Sequence, residues 1–181
     1  LGITAECRPQ GLFMHQRQYA INILERAGMS DYKANSTPVD TQTKLFEDDG
    51  PLTADATSYR SLIGALRTTF SRSDIAYCVQ QVCLRMHTPR EPHLTTLKRI
   101  LCYLWSSLDY DLQLDHPQRQ NLWSKPTLTG LAALTAQVTF GYTVFLGANL
   151  VSWAAKRQPI VSHSSAEAKY RTVANSMAEA S

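Results

Sequence analysis

The segment GYTVFLGANLVSWAAKRQPIVSHSSAEAKYRTVANSMAEA, Gly141–Ala180, decides the predicted fold. Its two apolar runs, Gly141–Gly147 and Asn149–Lys156, predict two strands joined by a tight turn. A helix then begins at Ser164, because a serine followed three residues later by a glutamate, Glu167, is a capping-box pattern. The apolar residues at helical spacing form the face that we expect to be buried: Ala166, Tyr170, Val173, Ala174 and Met177.

The N-terminal part of the sequence predicts a hairpin followed by four helices. A Pro/Gly turn between two apolar runs indicates the hairpin, over residues 1–16. The first helix follows, with Tyr19, Ile23, Leu24 and Ala27 on one face and Gly28 as its capping glycine. Three more helices have apolar stripes at the spacing of buried faces: Tyr59, Leu62, Ile63 and Leu66; then Ile75, Cys78, Val79, Val82, Cys83 and Met86; then Leu94, Leu97, Ile100, Leu101, Leu104 and Trp105.

Few residues are spaced for catalysis. The segment Phe46–Gly50 contains an adjacent pair, Asp48 and Asp49, of the kind that polymerases use to hold magnesium. That pair must be held rigidly between apolar residues, whereas this one lies in a polar linker, and we interpret it as a solvated turn. The histidines lack the spacing of zinc hydrolases and no serine lies in a GxSxG elbow. His93 is expected to serve the start of its helix.

The composition is typical of a globular soluble protein, with 44% hydrophobic residues. The longest apolar run is too short to span a membrane, and no secretory signal is visible. The four cysteines lack CxxC spacing and lie in apolar patterns, so we expect buried free thiols in a reducing compartment. Because the chain starts at Leu1 and stops at Ser181 inside a helical pattern, we expect a fragment at both ends.

The net charge of +3 is unevenly distributed. Residues 1–115 carry 12 Lys/Arg and 13 Asp/Glu, whereas residues 116–181 carry 6 Lys/Arg and 2 Asp/Glu. A basic C-terminal part is compatible with a nucleic-acid partner. Four cations near aromatic residues either contact phosphates or are ordinary solvated charges: Lys98, Arg99, Lys156 and Arg157.

Several segments occur in an order that is specific to one family. They include YRSLIGAL at Tyr59–Leu66, FSRSDIAYCVQQVC at Phe70–Cys83, PREPHLTTLKRILCYL at Pro89–Leu104 and the stretch Gly141–Ala174. Over nearly the whole chain they closely resemble the Pol polyprotein of copia-type long-terminal-repeat retrotransposons of plants. The matched part is the end of the reverse transcriptase, its thumb and connection, running into the ribonuclease H domain. The resemblance implies that the polymerase site, a Tyr-x-Asp-Asp turn, lies upstream of Leu1.

The resemblance also implies a ribonuclease H that cuts the RNA strand of an RNA–DNA hybrid. Such enzymes use two Mg²⁺ about 4 Å apart, held by converging carboxylates. In the family one carboxylate is the second glutamate of a Ser-Ser-x-Glu-Ala-Glu-Tyr helix, where this chain has Lys169. The family's two strand aspartates correspond roughly to Pro126 and Leu128. From residue 116 onward only Glu167 and Glu179 are acidic, about 18 Å apart on one helix, so a dead metal site is implied.

Two places depart further from the family. The segment Asn121–Val138 corresponds to the central first strand, but Pro126 and Gly130 remove a ladder donor and weaken a strand. We therefore expect a short, displaced strand or a loop there. Between Ala65 and Asp74 the chain has one residue fewer than the family and lacks its proline. That deletion rotates the next helix by about 100° unless a loop absorbs it.

The predicted fold class is α/β (α+β): a helical thumb and connection region, residues 1–108, followed by an incomplete ribonuclease H-like mixed sheet with helices, residues 109–181. We interpret the chain as a degenerate Pol fragment that is not an enzyme. We expect no catalytic residue, metal, cofactor, small-molecule substrate or membrane. A retained module that binds RNA–DNA hybrids and an active ribonuclease, which Lys169 opposes, are the alternatives. If the chain is expressed, we expect it inside the cell, in the cytoplasm or nucleus.

Overall fold

The computed structural model describes residues 2–29, 33–39, 50–116, 121–129, 139–157 and 164–180. The pair Asp48 and Asp49, interpreted above as a solvated turn, lies outside these ranges. No helix in the described ranges is long and apolar enough to cross a membrane. The elements in chain order are β1 (Thr4–Arg8), β2 (Gly11–His15), α1 (Arg17–Arg26), α2 (Ala56–Leu66), a 3₁₀ turn (Ser73–Ile75), α3 (Ala76–Cys83), α4 (Glu91–Ser106), β3 (Leu112–Asp115), β4 (Leu122–Thr129), β5 (Thr139–Leu146), β6 (Asn149–Arg157) and α5 (Ser165–Ala180).

The chain divides into two compact units. One unit, called the helical unit, consists of Leu1–Glu6 and Phe13–Leu112. The other, called the sheet unit, consists of Cys7–Leu12 and Gln113–Ser181. The strands form two small antiparallel sheets, in the orders β1-β2-β3 and β4-β5-β6. The predicted α/β class is confirmed, although the described strands pair antiparallel rather than in a mixed sheet. The family-domain boundary after residue 108 stays a prediction.

The helical unit has a single hydrophobic core, because the apolar stripes of α1 to α4 face one another. The predicted apolar stripes are confirmed as buried faces. Trp105 of the α4 stripe is the exception, since it is 39% exposed. In the centre, the Tyr59 hydroxyl donates to the Val82 carbonyl oxygen at 2.9 Å, which satisfies its polar atom. The residues of this core that are at most 1% exposed are Ile23, Leu24, Tyr59, Ile63, Leu66, Ile75, Val82, Leu97, Ile100, Leu101 and Leu104.

The ends of these helices are fixed by local chemistry. The Asp55 carboxylate accepts from the Ser58 backbone N–H at 2.8 Å at the start of α2. His93 is fully buried, and its Nδ1 accepts from the Arg90 N–H at 3.1 Å, so its predicted role at the start of α4 is confirmed. Gly28 follows α1 with a φ of 64°, as a C-terminal capping glycine requires.

The predicted N-terminal hairpin is present as β1 and β2. Gly11 at its turn has a φ of 147°, and a Cβ there would collide with the Leu114 carbonyl oxygen. Only glycine therefore allows the hairpin to lie this close to the chain at Leu114. The His116 N–H also donates to the Gln10 carbonyl oxygen, at 3.2 Å.

The cysteines are free thiols, but they are not all buried. Cys78 and Cys102 lie in the core, and Cys83 is partly buried against it. Burial raises the pKa of Cys78 to about 11, which suppresses the reactive thiolate. The expectation of a buried thiol is wrong for Cys7, which is exposed on β1, because all five residues of that strand are exposed.

A buried guanidinium stabilises the loop between α2 and α3. Arg72 is 5% exposed. It donates to the Asp74 carboxylate at 2.9 and 2.7 Å, and to the Ser107 carbonyl and hydroxyl oxygens at 2.8 and 2.6 Å. The Tyr103 hydroxyl donates to the same carboxylate at 2.8 Å. The helix α3 buries Cys78 and Val79, and the one-residue deletion before it stays a prediction.

The expectation of a short, displaced strand or a loop at residues 121–138 is wrong in length for its described part, although the strand there lies at an edge of the described sheet and not at its centre. Leu122–Thr129 form an eight-residue strand, β4, in which Pro126 pairs with Tyr142. Among the described strands β4 is an edge of its sheet. An edge strand tolerates proline, since it hydrogen-bonds to a neighbour on one side only. Residues 130–138 lie outside the described ranges.

The helix α5 is present where it was predicted, but its expected buried face is wrong. Tyr170, Val173 and Met177 are 77%, 41% and 62% exposed, whereas Thr172 is 1% exposed. The helix packs against β4 and β5, and Thr172 is the buried residue among its described side chains. Helical periodicity identifies an apolar stripe, but it does not identify the neighbour that covers it.

We expect Asp74→Asn to lower the free energy of unfolding by about 3 kcal/mol, because it leaves the buried Arg72 guanidinium without a counter-charge. The matched control is Asp109→Asn, which removes the partner of Arg17 in an exposed pair of the same unit. The free energy of unfolding of the Asp109→Asn control should fall by less than about 1 kcal/mol. Chemical denaturation of both variants measures this, and equal losses would contradict the assignment.

The stabilisation from Asp74 should depend on pH. Burial acts to raise the pKa of Asp74, but the hydrogen bonds and charge of Arg72 outweigh it and hold that pKa below its usual value. Such a carboxyl stabilises the fold fully above its unfolded-state pKa, and this contribution is lost as pH falls through the folded-state pKa. The denaturation curves of wild type and Asp74→Asn should therefore converge in acid; a difference that is constant with pH would argue against the pair.

We expect Tyr170→Ala to change the free energy of unfolding by less than about 0.5 kcal/mol, because this side chain is 77% exposed. Tyr142→Ala in the same unit should cost about 3 kcal/mol, since Tyr142 is 6% exposed. Thermal and chemical denaturation compare the two variants. A large loss for Tyr170→Ala would restore the buried face that the sequence predicts.

Candidate nucleic-acid interface

Lys98 and Arg99, two of the predicted phosphate contacts, lie next to each other on α4 in the helical unit. Lys98 is exposed, whereas Arg99 is partly buried. The Arg99 guanidinium donates to the Thr37 carbonyl oxygen at 3.3 Å and to the Thr37 hydroxyl at 3.0 Å. Arg99 therefore holds the segment 33–39 against α4, and Lys98 is the better placed of the two for a phosphate.

Lys156 and Arg157, the other predicted pair, end strand β6 in the sheet unit. Lys156 is exposed, and its Nζ lies 5.8 Å from the centre of the buried Tyr142 ring, a cation–π distance. Arg157 pairs with Thr139 in the ladder. The four predicted cations thus belong to two different units, and no single element brings them together.

The start of α5 shows how the residues of the implied metal site are arranged. The Ser164 hydroxyl accepts from the Glu167 N–H at 3.1 Å, so the serine half of the capping box is present. The Glu167 carboxylate pairs with Arg171 one turn later, at 2.7 Å. Lys169 is exposed, and it borders an open groove of about 350 Å³ together with Ala166, Tyr170 and Val173.

The strands beside this helix carry no acidic side chain. By sequence, β4, β5 and β6 contain no aspartate or glutamate. Pro126 and Leu128, at the implied aspartate positions, pair with Tyr142 and Phe140 on β5. Within the described ranges, no three His, Cys, Asp or Glu side chains lie close enough to share a metal ion.

A small polar cavity of about 10 Å³ lies near Ser71 and Asp111 in the helical unit. The Ser71 hydroxyl donates to the Asp111 carboxylate at 3.2 Å. Burial raises the pKa of Asp111, although this hydrogen bond and nearby positive charge act in the opposite direction. The cavity has room for about one water molecule, so it is too small for a nucleotide.

A surface of the second sheet carries residues that the sequence analysis missed. Paired residues share a face of a sheet: Trp123 pairs with Phe145, and Lys125 with Thr143, which also pairs with Trp153. We call this surface the aromatic face, defined by Trp123, Lys125, Thr143, Phe145 and Trp153. None of these five is buried, whereas Tyr142 and Val144, which alternate with them on β5, are. A Trp and a Lys two residues apart in β4 were the available signal, but Pro126 favoured a loop.

The Trp123 ring is held in one orientation on this face. It stacks on Phe145, with ring centres 4.3 Å apart and planes 8° from parallel. Its indole N–H donates to the Gly147 carbonyl oxygen at 2.9 Å. The side chain is nevertheless 46% exposed, so the ring is fixed on one side and open to solvent on the other.

Proteins of known sequence resemble this chain along its whole length. The "Uncharacterized mitochondrial protein AtMg00810" of Arabidopsis thaliana is 38% identical over 99% of this chain and 75% of that protein. The "Retrovirus-related Pol polyprotein from transposon RE2" and that from transposon RE1, of the same plant, are 37% and 38% identical over 99% of this chain. No family model and no solved structure matches the chain.

The extent of these matches decides the family. The chain spans three quarters of the mitochondrial protein but only 12% of each Pol polyprotein. Identity of this order over 99% of the chain indicates common descent along its whole length. The resemblance of the sequence motifs to Pol polyproteins is confirmed. Over 99% of its length this chain is similar to a segment of the retrovirus-related Pol polyproteins of plant transposons.

Proposed function

We propose that this chain is a catalytically inactive part of a copia-type Pol polyprotein, corresponding to the end of the reverse transcriptase and the beginning of its ribonuclease H domain. The observation that carries the proposal is Lys169, an exposed cation on α5 at the position of the metal-binding glutamate implied by the resemblance. The activities of whole Pol polyproteins are not assigned to it, because the chain spans 12% of their length.

The donor chemistry around Lys169 supports this proposal. Magnesium requires several hard oxygen ligands that converge from different elements. Glu167 pairs with Arg171 on its own helix, and β4 to β6 supply no carboxylate. A lysine charge 4 Å from a cation is unfavourable by about 4 kcal/mol per unit charge at an effective dielectric near 20. The residues present do not fit a magnesium pair, so we derive no cleavage step.

A second candidate is a module that binds RNA–DNA hybrids without cutting them. It is favoured by the exposed cations Lys98 and Lys156 and by the lack of acidic residues in β4 to β6. Such binding would be mainly electrostatic and would weaken steeply with salt. A chain that cannot cut a hybrid can still bind one. The two candidates therefore differ in the affinity they predict for an RNA–DNA hybrid, and not in cleavage.

With an RNA–DNA hybrid and Mg²⁺, we expect the purified chain to cut no faster than a buffer control. The variant Lys169→Glu should not restore cleavage, because it adds one carboxylate where a metal pair needs several. An active ribonuclease H in the same buffer is the positive control. Magnesium-dependent cleavage by a nuclease-free preparation of the unmodified chain would contradict the proposal.

Hybrid binding at two salt concentrations tests the second candidate. If the cations contact phosphates, Lys98→Gln and Lys156→Gln should each reduce the slope of log affinity against log salt by about 1. The control Arg26→Gln removes an equal charge from an exposed position on α1 and should leave the slope unchanged. Equal effects of all three variants would mean that only net charge matters and that no interface exists at these lysines.

A further inference from the structure

We infer that the aromatic face binds single-stranded nucleic acid, with an unpaired base stacked on the open side of the Trp123 ring and a neighbouring phosphate near Lys125. This site differs from the four cations predicted from the sequence. Binding at this site does not depend on whether the chain is catalytically inactive, and it is measured by oligonucleotide affinity rather than by cleavage.

The first argument is the fixed orientation of the Trp123 ring. Exposed tryptophans ordinarily sample several rotamers, and a partner that binds them must order them. Here the stacking on Phe145 and the hydrogen bond to Gly147 already hold the ring. One side of the indole is covered by Phe145, and the side chain remains 46% exposed. A base that stacks there adds a third ring to an existing stack at little cost in conformational entropy.

The second argument is the charge on this sheet. Its three strands carry no acidic residue. Lys125 lies on the aromatic face, whereas Lys156 pairs with Phe140 on the opposite face, with its Nζ near the Tyr142 ring. Lys125 is exposed and lies two residues from Trp123 on the same face of β4. Alternate residues of a strand are about 6.5 Å apart, which is comparable to the spacing between a base and its backbone phosphate. Aromatic side chains next to cations without carboxylates suit a polyanion that carries exposed rings.

The third argument separates single strands from duplexes. The bases of a duplex stack on one another, so their ring faces are not accessible to a flat protein surface. A stacking platform therefore favours an unpaired strand, whereas phosphate contacts alone would bind a hybrid equally well. Every base has a ring face, so we expect little dependence on base sequence.

The test measures binding of a fluorescently labelled oligothymidine, and of an abasic strand of the same length, to the full chain by anisotropy. Trp123→Ala should weaken binding of oligothymidine at least about fivefold, the lower end of what one stacked base contributes. Trp123→Phe should retain most of the affinity, because it keeps an aromatic ring. The matched control, Trp105→Ala, removes a tryptophan that is 39% exposed on α4 of the other unit and should leave affinity unchanged.

The abasic strand separates stacking from charge. It should bind more weakly than oligothymidine, and Trp123→Ala should not weaken it further. Lys125→Gln should lower the affinity for both strands and reduce the salt slope by about 1. The hybrid should bind more weakly than oligothymidine at the same salt concentration.

Three results would overturn the inference. One is equal loss of affinity in Trp123→Ala and Trp105→Ala. Another is equal binding of the abasic strand and oligothymidine by the unmodified chain. The third is a dimer in sedimentation velocity that Trp123→Ala dissociates, which would make this face a contact between two copies. Thermal unfolding checks that Trp123→Ala is folded. If it is not, the affinities of Trp123→Phe and Trp123→Leu for oligothymidine are compared instead. Equal affinities of those two variants would also overturn the inference.

Discussion

The helical unit depends on satisfying one buried cation, the guanidinium of Arg72. A charge removed from water is strongly destabilising unless it is paired and fully hydrogen-bonded. Asp74 supplies the counter-charge from the 3₁₀ turn before α3, and Ser107 supplies two oxygens from the end of α4. These contacts bring together the loop after α2, the start of α3 and the end of α4. The position of α3 is therefore fixed by this network and by its buried face.

The sheet unit is governed by a different constraint, which is how much surface one helix can cover. A sheet of three described strands has two faces, and a single helix packs on one of them. Tyr142 and Val144 are buried, whereas the residues that alternate with them on β5 are not. The aromatic face follows directly from this arrangement. A surface with a fixed indole ring and the exposed Lys125, but without carboxylates, is available for a ligand whether or not the unit ever cuts a strand.

Similarity to Pol polyproteins does not by itself assign chemistry, since a fold can persist after its site is lost. The apolar stripes that stabilise the helices contain none of the carboxylates that a metal pair requires. Lys169 takes no part in that packing, because its side chain is exposed. Glu167 can remain as part of the helix start, paired with Arg171, without any role in catalysis.

The sequence by itself determined the local structure: the helices α1 to α4 with their buried stripes, the two hairpins, the capping roles of Gly28 and His93, and the start of α5. These features depend on periodicity, turn residues and caps, which act over a few neighbouring residues. Only the tertiary structure decided which stripe of α5 is covered, that β4 continues through Pro126 at a sheet edge, and that Trp123 stacks on Phe145. Each of these depends on which element lies alongside, and a contact between residues 22 positions apart leaves no periodic trace in the sequence.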